Sequence, residues 1–212
     1  NIPVTQGTND WSAYLAAMIS SGAEAIVGWT SSSDALAFYK EWYNSGAYQT
    51  LPVYATMHGG FTDSYVMDEL DPAIVDALID GGLCAPINYC YSIDTEENKM
   101  FVADWKAEFG EVPLGNNLPG STFQALRNLA MALDEVGPDA DAMTLANAMR
   151  STDFYGPEGH TSFEEGSVVA TKDTYVVAVT KLDDGSINYE VQKDYPEITV
   201  NGYNYDGENY IG

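Results

Sequence analysis

The chain has 212 residues, of which 45% are hydrophobic, so it can bury a core and does not belong to the disordered class. It carries 32 Asp and Glu against 8 Lys and Arg, a formal net charge of -24 at pH 7. This balance argues against binding nucleic acid or an anionic membrane surface, because both reward Lys and Arg. The acidic residues are scattered along the chain, which indicates either an ordinary acidic secreted protein or one adapted to high salt.

Membrane and export signals are weak in this sequence. No apolar run approaches the roughly 20 residues that a membrane-spanning helix needs, so we expect no membrane insertion by this segment. The opening sequence NIPVTQGTND has neither the basic nor the apolar region of a signal peptide. We therefore expect a cytosolic chain, a mature chain or a fragment.

The first half of the chain alternates between helical patterns and short apolar runs of the kind found in strands buried on both faces. Strands are predicted over residues 25–29, 51–56 and 81–89, and helices over 9–22, 34–46, 65–70, 72–79 and 95–110. This alternation predicts an α/β fold with a doubly wound parallel sheet. In such sheets ligands bind outside the carboxyl ends of the strands, so the loops there form the expected site.

Three predicted loops at these strand ends are rich in hydroxyl groups, aromatic rings and glycine. Hydroxyls and backbone amides hold neutral or zwitterionic small molecules, so we predict a ligand site there. The candidate ligand-binding residues are Trp29, Thr30, Ser31, Ser32, Met57, His58, Gly59, Tyr89 and Tyr91. The alternatives are structural: Trp29 plugs the end of the sheet, His58 is a surface loop residue, and the two tyrosines only pack. If a strand continues through Cys90, the tyrosines on either side of it point to opposite faces.

Patterns for catalysis and metal binding are weak. The chain has two histidines, His58 and His160, and it contains neither a nucleophile elbow nor a zinc-protease motif. The acidic pairs at 96–97 and 164–165 fall in predicted solvated turns or helix starts. We therefore expect no enzyme, no catalytic residue, no metal and no cofactor. Cys84 and Cys90 are either two buried free thiols or a disulfide that closes a short loop.

The second half changes texture after the sequence EVPLGNNLPG. Ser121 is predicted to cap a helix with Gln124 as its capping-box partner, and a shorter helix covers 141–150. Residues 174–193 predict two strands joined by a turn at Asp184 and Gly185. The glycine-rich stretch FYGPEGHTSFEEG lacks the lysine of a phosphate loop and carries glutamates that would repel an anion.

Several segments together resemble a known family. They are GTNDWSAYLAAMISSGAEAIV, NSGAYQTLPVY, YSIDTEENKMFVADWKAEFGEVP, STFQALRNLAMAL and FYGPEGHTSFEEG, in matching order and spacing. The sequence resembles the substrate-binding proteins of branched-chain amino acid and amide ABC transporters, the Leu/Ile/Val-binding family with the type I periplasmic-binding-protein fold. The resemblance covers nearly the whole chain apart from its tyrosine-rich C-terminal tail.

The resemblance implies an architecture of two Rossmann-like parallel-sheet lobes, incomplete here at the N-terminus. Residues 1–113 would form most of the second lobe, and residues 114–212 would belong mainly to the first lobe, with hinge crossings and an irregular tail. The chain would thus be the C-terminal portion of a longer protein. The glycine-rich stretch matches a structural turn that begins the last β segment of the family.

The resemblance also implies a function. The chain would belong to a solute-binding receptor of an ABC importer, which captures a small polar ligand between its lobes and delivers it to the permease subunits. The location would be periplasmic or extracellular, with a lipid anchor as one option. The alternative is a ligand-sensing regulatory protein of the same fold. Amino-acid-binding members carry a carboxylate near the position of Gly60, and its absence here counts against an α-amino acid and leaves a neutral amide, a urea-like molecule or an organic acid as options.

The acidic surface generates a prediction about salt. Each like-charged pair costs on the order of 1 kcal/mol or less at about 4 Å in water, but many pairs together weigh against a stability of roughly 5–15 kcal/mol. Raising NaCl from about 0.01 M to about 1 M shortens the Debye length from about 30 Å to about 3 Å. We expect the melting temperature at pH 7 to rise across this series. A flat or falling melting temperature would mean that bound cations or local pairing already neutralise the surface.

Overall fold

The computed structural model describes residues 2–57, 59–113 and 118–198, which form two compact units. Unit 1 contains residues 2–57, 59–87 and 176–192, and unit 2 contains residues 88–113, 118–175 and 193–198. The assignment of residues 1–113 and 114–212 to two lobes of a larger protein stays a prediction.

The described helices and most of the strands follow the predicted order, with early strands shorter than the apolar runs indicated, and two further strands lie within the glycine-rich stretch. The helices are α1 (Ser12–Ser20), α2 (Ser32–Asn44), α3 (Ser64–Glu69), α4 (Pro72–Asp80), α5 (Glu96–Phe109), α6 (Leu118–Val136) and α7 (Ala142–Arg150). The strands are β1 (Ile26–Gly28), β2 (Val53–Ala55), β3 (Cys84–Ile87), β4 (Phe154–Gly156), β5 (Gly159–Phe163), β6 (Ala170–Lys181) and β7 (Ile187–Ile198).

Unit 1 is built on a parallel pair of strands, as the alternating pattern predicted. Strands β1 and β2 run parallel with Val27 opposite Tyr54. The third strand does not simply extend this pair, because β3 hydrogen-bonds to β6, where Val179 N–H donates to the Leu83 carbonyl at 3.0 Å. Strands β6 and β7 form the predicted hairpin, whose turn is closed by a bond from Leu182 N–H to the Ser186 carbonyl at 2.9 Å.

The core of unit 1 is aromatic and centres on α2. Phe38, Tyr39 and Trp42 are almost fully buried on one face of this helix. The Tyr39 hydroxyl donates to the Phe61 carbonyl at 2.8 Å, and the Trp42 indole donates to the Leu51 carbonyl at 2.8 Å. These bonds satisfy the polar tips of buried aromatic side chains, so the rings can contribute their large apolar area without an unpaired donor.

The glycine-rich stretch of unit 2 is an antiparallel hairpin, in agreement with its predicted structural role. Strands β4 and β5 pair with Gly156 opposite Gly159, and Glu158 lies in the tight turn between them. Glu158 is fully buried, and its carboxylate accepts hydrogen bonds from Ser121 Oγ and Lys172 Nζ. The carboxylate that would repel a phosphate therefore stabilises the hairpin from inside.

The expected cap at Ser121 was wrong, because α6 begins at Leu118 and Ser121 lies inside it. Its hydroxyl binds Glu158, and the Gln124 amide donates to Thr161 Oγ1 at 2.9 Å. Gly156 leaves room for this amide, since a Cβ there would lie 1.9 Å from Gln124 Oε1. Polar residues that resemble a capping box in sequence thus hold a helix to the hairpin.

Cys84 and Cys90 are not joined by a disulfide, so of the two alternatives that the sequence left open the structure favours the thiols. Cys90 is buried and Cys84 is half-buried, and burial raises the pKa of both thiols.

No helix within the described residues is long and apolar enough to cross a membrane. In the same part of the chain, His, Cys, Asp and Glu side chains form no group of three or more that could hold a metal ion.

The buried pair of Glu158 and Lys172 generates a stability prediction. The variant Lys172→Met should lower the free energy of unfolding by about 2–4 kcal/mol, because it leaves a buried carboxylate without its cation. The value lies toward the low end of the range for buried pairs, since the Lys172 side chain is 28% exposed. Urea denaturation measures the difference.

The matched control is Lys99→Met, which removes a lysine from exposed pairs with Asp94 and Glu96. It should cost less than about 1 kcal/mol. The double variant Glu158→Gln/Lys172→Met should recover part of the loss, because it removes the unpaired charge. Equal costs for the two lysine variants would show that the buried pair does not stabilise unit 2.

Candidate functional site

Unit 1 contains a cavity of about 460 Å³ that runs along β1, between Ile26–Gly28 and residues 2–4, and reaches the loop that follows the strand. This volume falls in the range of small-molecule sites, about 300–1,000 Å³. The predicted residues Trp29, Thr30 and Ser31 line it, so the structure brings together the three candidates that follow the first strand. The aromatic part of the wall consists of Trp11, Trp29, Phe38 and Phe61, and the polar part consists of Gln6, Thr30, Ser31 and Asp34.

The loop from β1 into α2 positions the hydroxyl groups of the cavity. Ser31 is the N-cap of α2, because its extended backbone lets its Oγ accept from the Asp34 N–H at 3.4 Å. Trp29 is 53% exposed, a high value for tryptophan. An exposed aromatic ring next to half-buried hydroxyls can stack on a ligand, whereas a plug of the sheet end would be buried.

Asp34 is a site residue that sequence reasoning missed. It was placed only within the helical pattern, yet it lines the cavity and is 4% exposed. Its two carboxylate oxygens lie 3.0 and 3.1 Å from the backbone nitrogen of Gly7, which donates to them. The signal available in the sequence was an acidic residue in the first turn of a helix that begins at a predicted ligand loop.

The loop after β2 contacts the loop after β1 through glycine. Gly60 has φ +46° and packs so closely that a Cβ there would lie 1.8 Å from the Thr30 carbonyl oxygen. A side chain at this position could not be accommodated by this backbone, so the contact between the two loops requires glycine here. A Cβ on Gly59 would lie 3.5 Å from Trp29 Nε1, so this predicted residue also lies beside the cavity wall.

The other predicted residues of unit 1 have different surroundings. The Ser32 hydroxyl donates to Asp63 Oδ2 at 2.8 Å and so ties the start of α2 to the cap of α3. Met57 is 52% exposed at the end of β2. His58 lies outside the described residues. The roles of all three in ligand binding stay predictions.

Tyr89 and Tyr91 belong to unit 2, where they differ in burial. Strand β3 ends at Ile87, so the expected alternation along a continuing strand does not apply. Tyr89 is fully buried, with its ring so close to Gly120 that a Cβ there would lie 2.1 Å from Tyr89 Cδ2. Burial raises the pKa of its hydroxyl, which has no hydrogen-bond partner within the described residues.

The loop that carries Tyr91 is organised by one buried amide. Asn98 Nδ2 donates to the backbone carbonyls of Cys90, Tyr91 and Ile93 at 3.3, 3.0 and 2.9 Å. Asn98 is fully buried, while Tyr91 is half-buried. The backbone of this loop is therefore well held, and a ligand contact by either tyrosine stays a prediction.

The close contact at Gly60 generates a prediction. Gly60→Ala should lower the free energy of unfolding by more than about 2 kcal/mol, because alanine adds strain at positive φ and collides with the Thr30 carbonyl. Gly46→Ala is the matched control, since Gly46 has φ +77° but no atom within 4 Å of its added Cβ. It should cost about 1 kcal/mol, and thermal or urea unfolding compares them. Equal losses would argue against the tight contact between the two loops.

Comparison with known proteins relates the chain to a family of binding proteins. A family model described as periplasmic binding protein matches residues 1–186. Leu/Ile/Val-binding protein homolog 6 of Brucella suis biovar 1 is 24% identical over 188 residues, which cover 87% of this chain and 46% of the relative. The chain thus spans about half the length of the curated relatives that it matches.

Solved structures show the same fold. An ABC transporter substrate-binding protein from Sphaerobacter thermophilus is 25% identical with a TM-score of 0.76, covering 90% of this chain and 50% of the other. A solute-binding protein from R. palustris in complex with 4-hydroxybenzoate has a TM-score of 0.77 at 20% identity. The match covers 92% of this chain and 51% of the R. palustris chain. The predicted α/β fold of type I periplasmic binding proteins is confirmed for the part present. The chain belongs to the periplasmic binding protein family, as its resemblance to the Leu/Ile/Val-binding proteins predicted.

Proposed function

We propose that this chain is part of a solute-binding receptor of an ABC importer, which captures a small polar ligand and delivers it to permease subunits. The observation that carries the proposal is the meeting of the loops after β1 and β2, where Trp29, Thr30 and Ser31 border a cavity and Gly60 packs against the Thr30 carbonyl. In an α/β sheet this is the place where ligands bind, and these groups offer stacking and hydrogen bonds without a catalytic pair.

The named relatives bind small molecules of different kinds. One R. palustris protein is in complex with 4-hydroxybenzoate, and a Brucella ovis protein is described as binding leucine, isoleucine, valine, threonine and alanine. Their identities of 20% and 16% to this chain support the fold and leave the ligand open. The receptor function therefore rests on the cavity of this chain together with its family.

The wider proposal includes partners and location. A second set of contacts from the rest of a longer protein would complete the cleft, which would close on the ligand by a hinge motion. The receptor would work in the periplasm or outside the cell. No feature of the described residues favours a regulatory sensor, so that alternative is not carried further.

A ligand screen tests the proposal. Binding stabilises the native protein by RT ln(1 + [L]/Kd), so amino acids, amides, amines and aromatic acids that bind should raise the melting temperature. Trp29→Ala should weaken the binding of any hit by about tenfold or more, because a stacking wall is lost. Tyr65→Ala is the control, since Tyr65 is a similarly exposed aromatic residue of the same unit that does not line the cavity. The proposal fails if no compound binds, or if the two variants weaken binding equally.

A further inference from the structure

We propose that His160 is a pH-sensitive clamp, which in its cationic form binds Asp153 and Glu197 together and holds the end of β7 on the hairpin of β4 and β5. All residues of the clamp belong to unit 2, and the inference does not depend on the ligand proposed for unit 1. Three observations carry it: the imidazole ring lies between two carboxylates, a third carboxylate ties the same backbone segments, and Glu197 has a strained backbone.

Both nitrogens of the His160 ring face carboxylate oxygens. Nε2 lies 2.8 Å from Asp153 Oδ1, and Nδ1 lies 3.3 Å from Glu197 Oε1. Tyr155 stacks on the imidazole with the ring centroids 4.8 Å apart, which fixes the plane of the ring between the two carboxylates. A neutral imidazole would turn a lone pair toward one of these carboxylates, whereas the cation carries an N–H on both nitrogens and attracts both. The arrangement therefore favours the cation.

Asp173 on β6 ties the same two segments through their backbones. Its Oδ2 accepts from the His160 N–H at 2.9 Å, and its Oδ1 accepts from the Glu197 N–H at 3.0 Å. Three carboxylates thus surround one imidazole, and within the described residues no Lys or Arg pairs with any of them. Loss of the charge on His160 would leave these negative groups close together without a cation, so they would repel one another.

The end of β7 depends on polar contacts. Glu197 has φ +53°, in the left-handed region that residues with a Cβ rarely adopt, and such a conformation persists where its surroundings hold it. Residues 193–198, the part of β7 in unit 2, are all exposed, so burial of apolar area contributes little to their attachment. Besides the pairing of β7 with β6, the described contacts that hold Glu197 are those with Asp173 and His160.

The protonation of His160 sets the pH at which the clamp opens. The hydrogen bond with Asp153 raises the pKa of His160 above its ordinary value of about 6.5; burial acts against this rise, and the charges of Asp153, Glu197 and Asp173 add to it. Because the pKa is raised in the closed state, the clamp contributes fully below the ordinary pKa. Its contribution is lost as the pH rises through the raised pKa. The end of β7 is therefore held at low pH and released at high pH.

An NMR titration of the 15N-labelled chain tests the inference, from about pH 5 to about pH 9, on both sides of the ordinary histidine pKa of about 6.5. The imidazole signals give the pKa of His160, and His160→Gln identifies them. The heteronuclear NOE of the backbone amides of residues 193–198 reports whether this segment is ordered. We expect the pKa of His160 to exceed its ordinary value and the NOE of this segment to fall with the same midpoint. His160→Gln should remove this pH-dependent step.

Variants separate the clamp from the general acidity of the chain. Asp153→Asn and Glu197→Gln each remove one charge that faces the ring, so each should lower the pKa of His160 and move the release of residues 193–198 to lower pH with it. Asp104→Asn is the matched control, because it removes the same charge from an exposed position on α5 of the same unit and should leave both midpoints in place. If His160→Gln does not fold, the imidazole signals that move in Asp153→Asn identify His160.

Three results would overturn the inference. A pKa of His160 at or below about 6.5 would mean that the two carboxylates do not stabilise its charge. An NOE of residues 193–198 that stays constant through the titration of His160 would mean that the ring does not hold this segment. Equal effects of Asp104→Asn and Asp153→Asn would assign the raised pKa to the charge of the whole chain.

Discussion

The attachment of the loop after β2 to helix α2 is the constraint on which the site of unit 1 depends. The backbone carbonyls of Phe61 and Thr62 accept hydrogen bonds from the hydroxyls of Tyr39 and Tyr189, at 2.8 and 2.7 Å. Both tyrosines are buried, so these bonds form away from water and a shift of the loop would leave buried donors unpaired. The loop is thus fixed at a depth where Gly60 touches the Thr30 carbonyl and Phe61 becomes a wall of the cavity.

Two buried carboxylates show how similar residues acquire different roles. Glu158 is fully buried and binds both a lysine and a serine, so its charge is compensated within unit 2. Asp34 is almost as buried, but it accepts from a single backbone N–H and lines a cavity. The difference lies in the surroundings: a lysine and a serine bind Glu158 inside a packed hairpin, whereas a backbone amide is the described partner of the Asp34 carboxylate.

The acidic composition of the chain and the lining of the cavity both disfavour an anionic partner. With 32 acidic against 8 basic residues, the chain repels anions at long range, and among the described residues the lining of the cavity adds no Lys, Arg or His at short range. Family membership agrees with the proposed capture of a solute. Hydroxyl groups and aromatic rings at the strand ends are groups that can bind and orient a small molecule.

The sequence by itself determined the order of helices and strands, the turn at Asp184 and Gly185, and the loop at Trp29 as a ligand candidate. These features follow from local patterns, namely apolar periodicity, capping residues and turn residues, which act over a few positions. The matching segments in register determined the family in the same way. The tertiary structure alone decided that Ser121 binds Glu158 inside a helix, that Tyr89 is buried against Gly120, and that Asp34 lines the cavity. The physical reason is that removal of a polar side chain from water depends on contacts between residues far apart in the chain, such as Asp34 with Gly7, which no local pattern encodes.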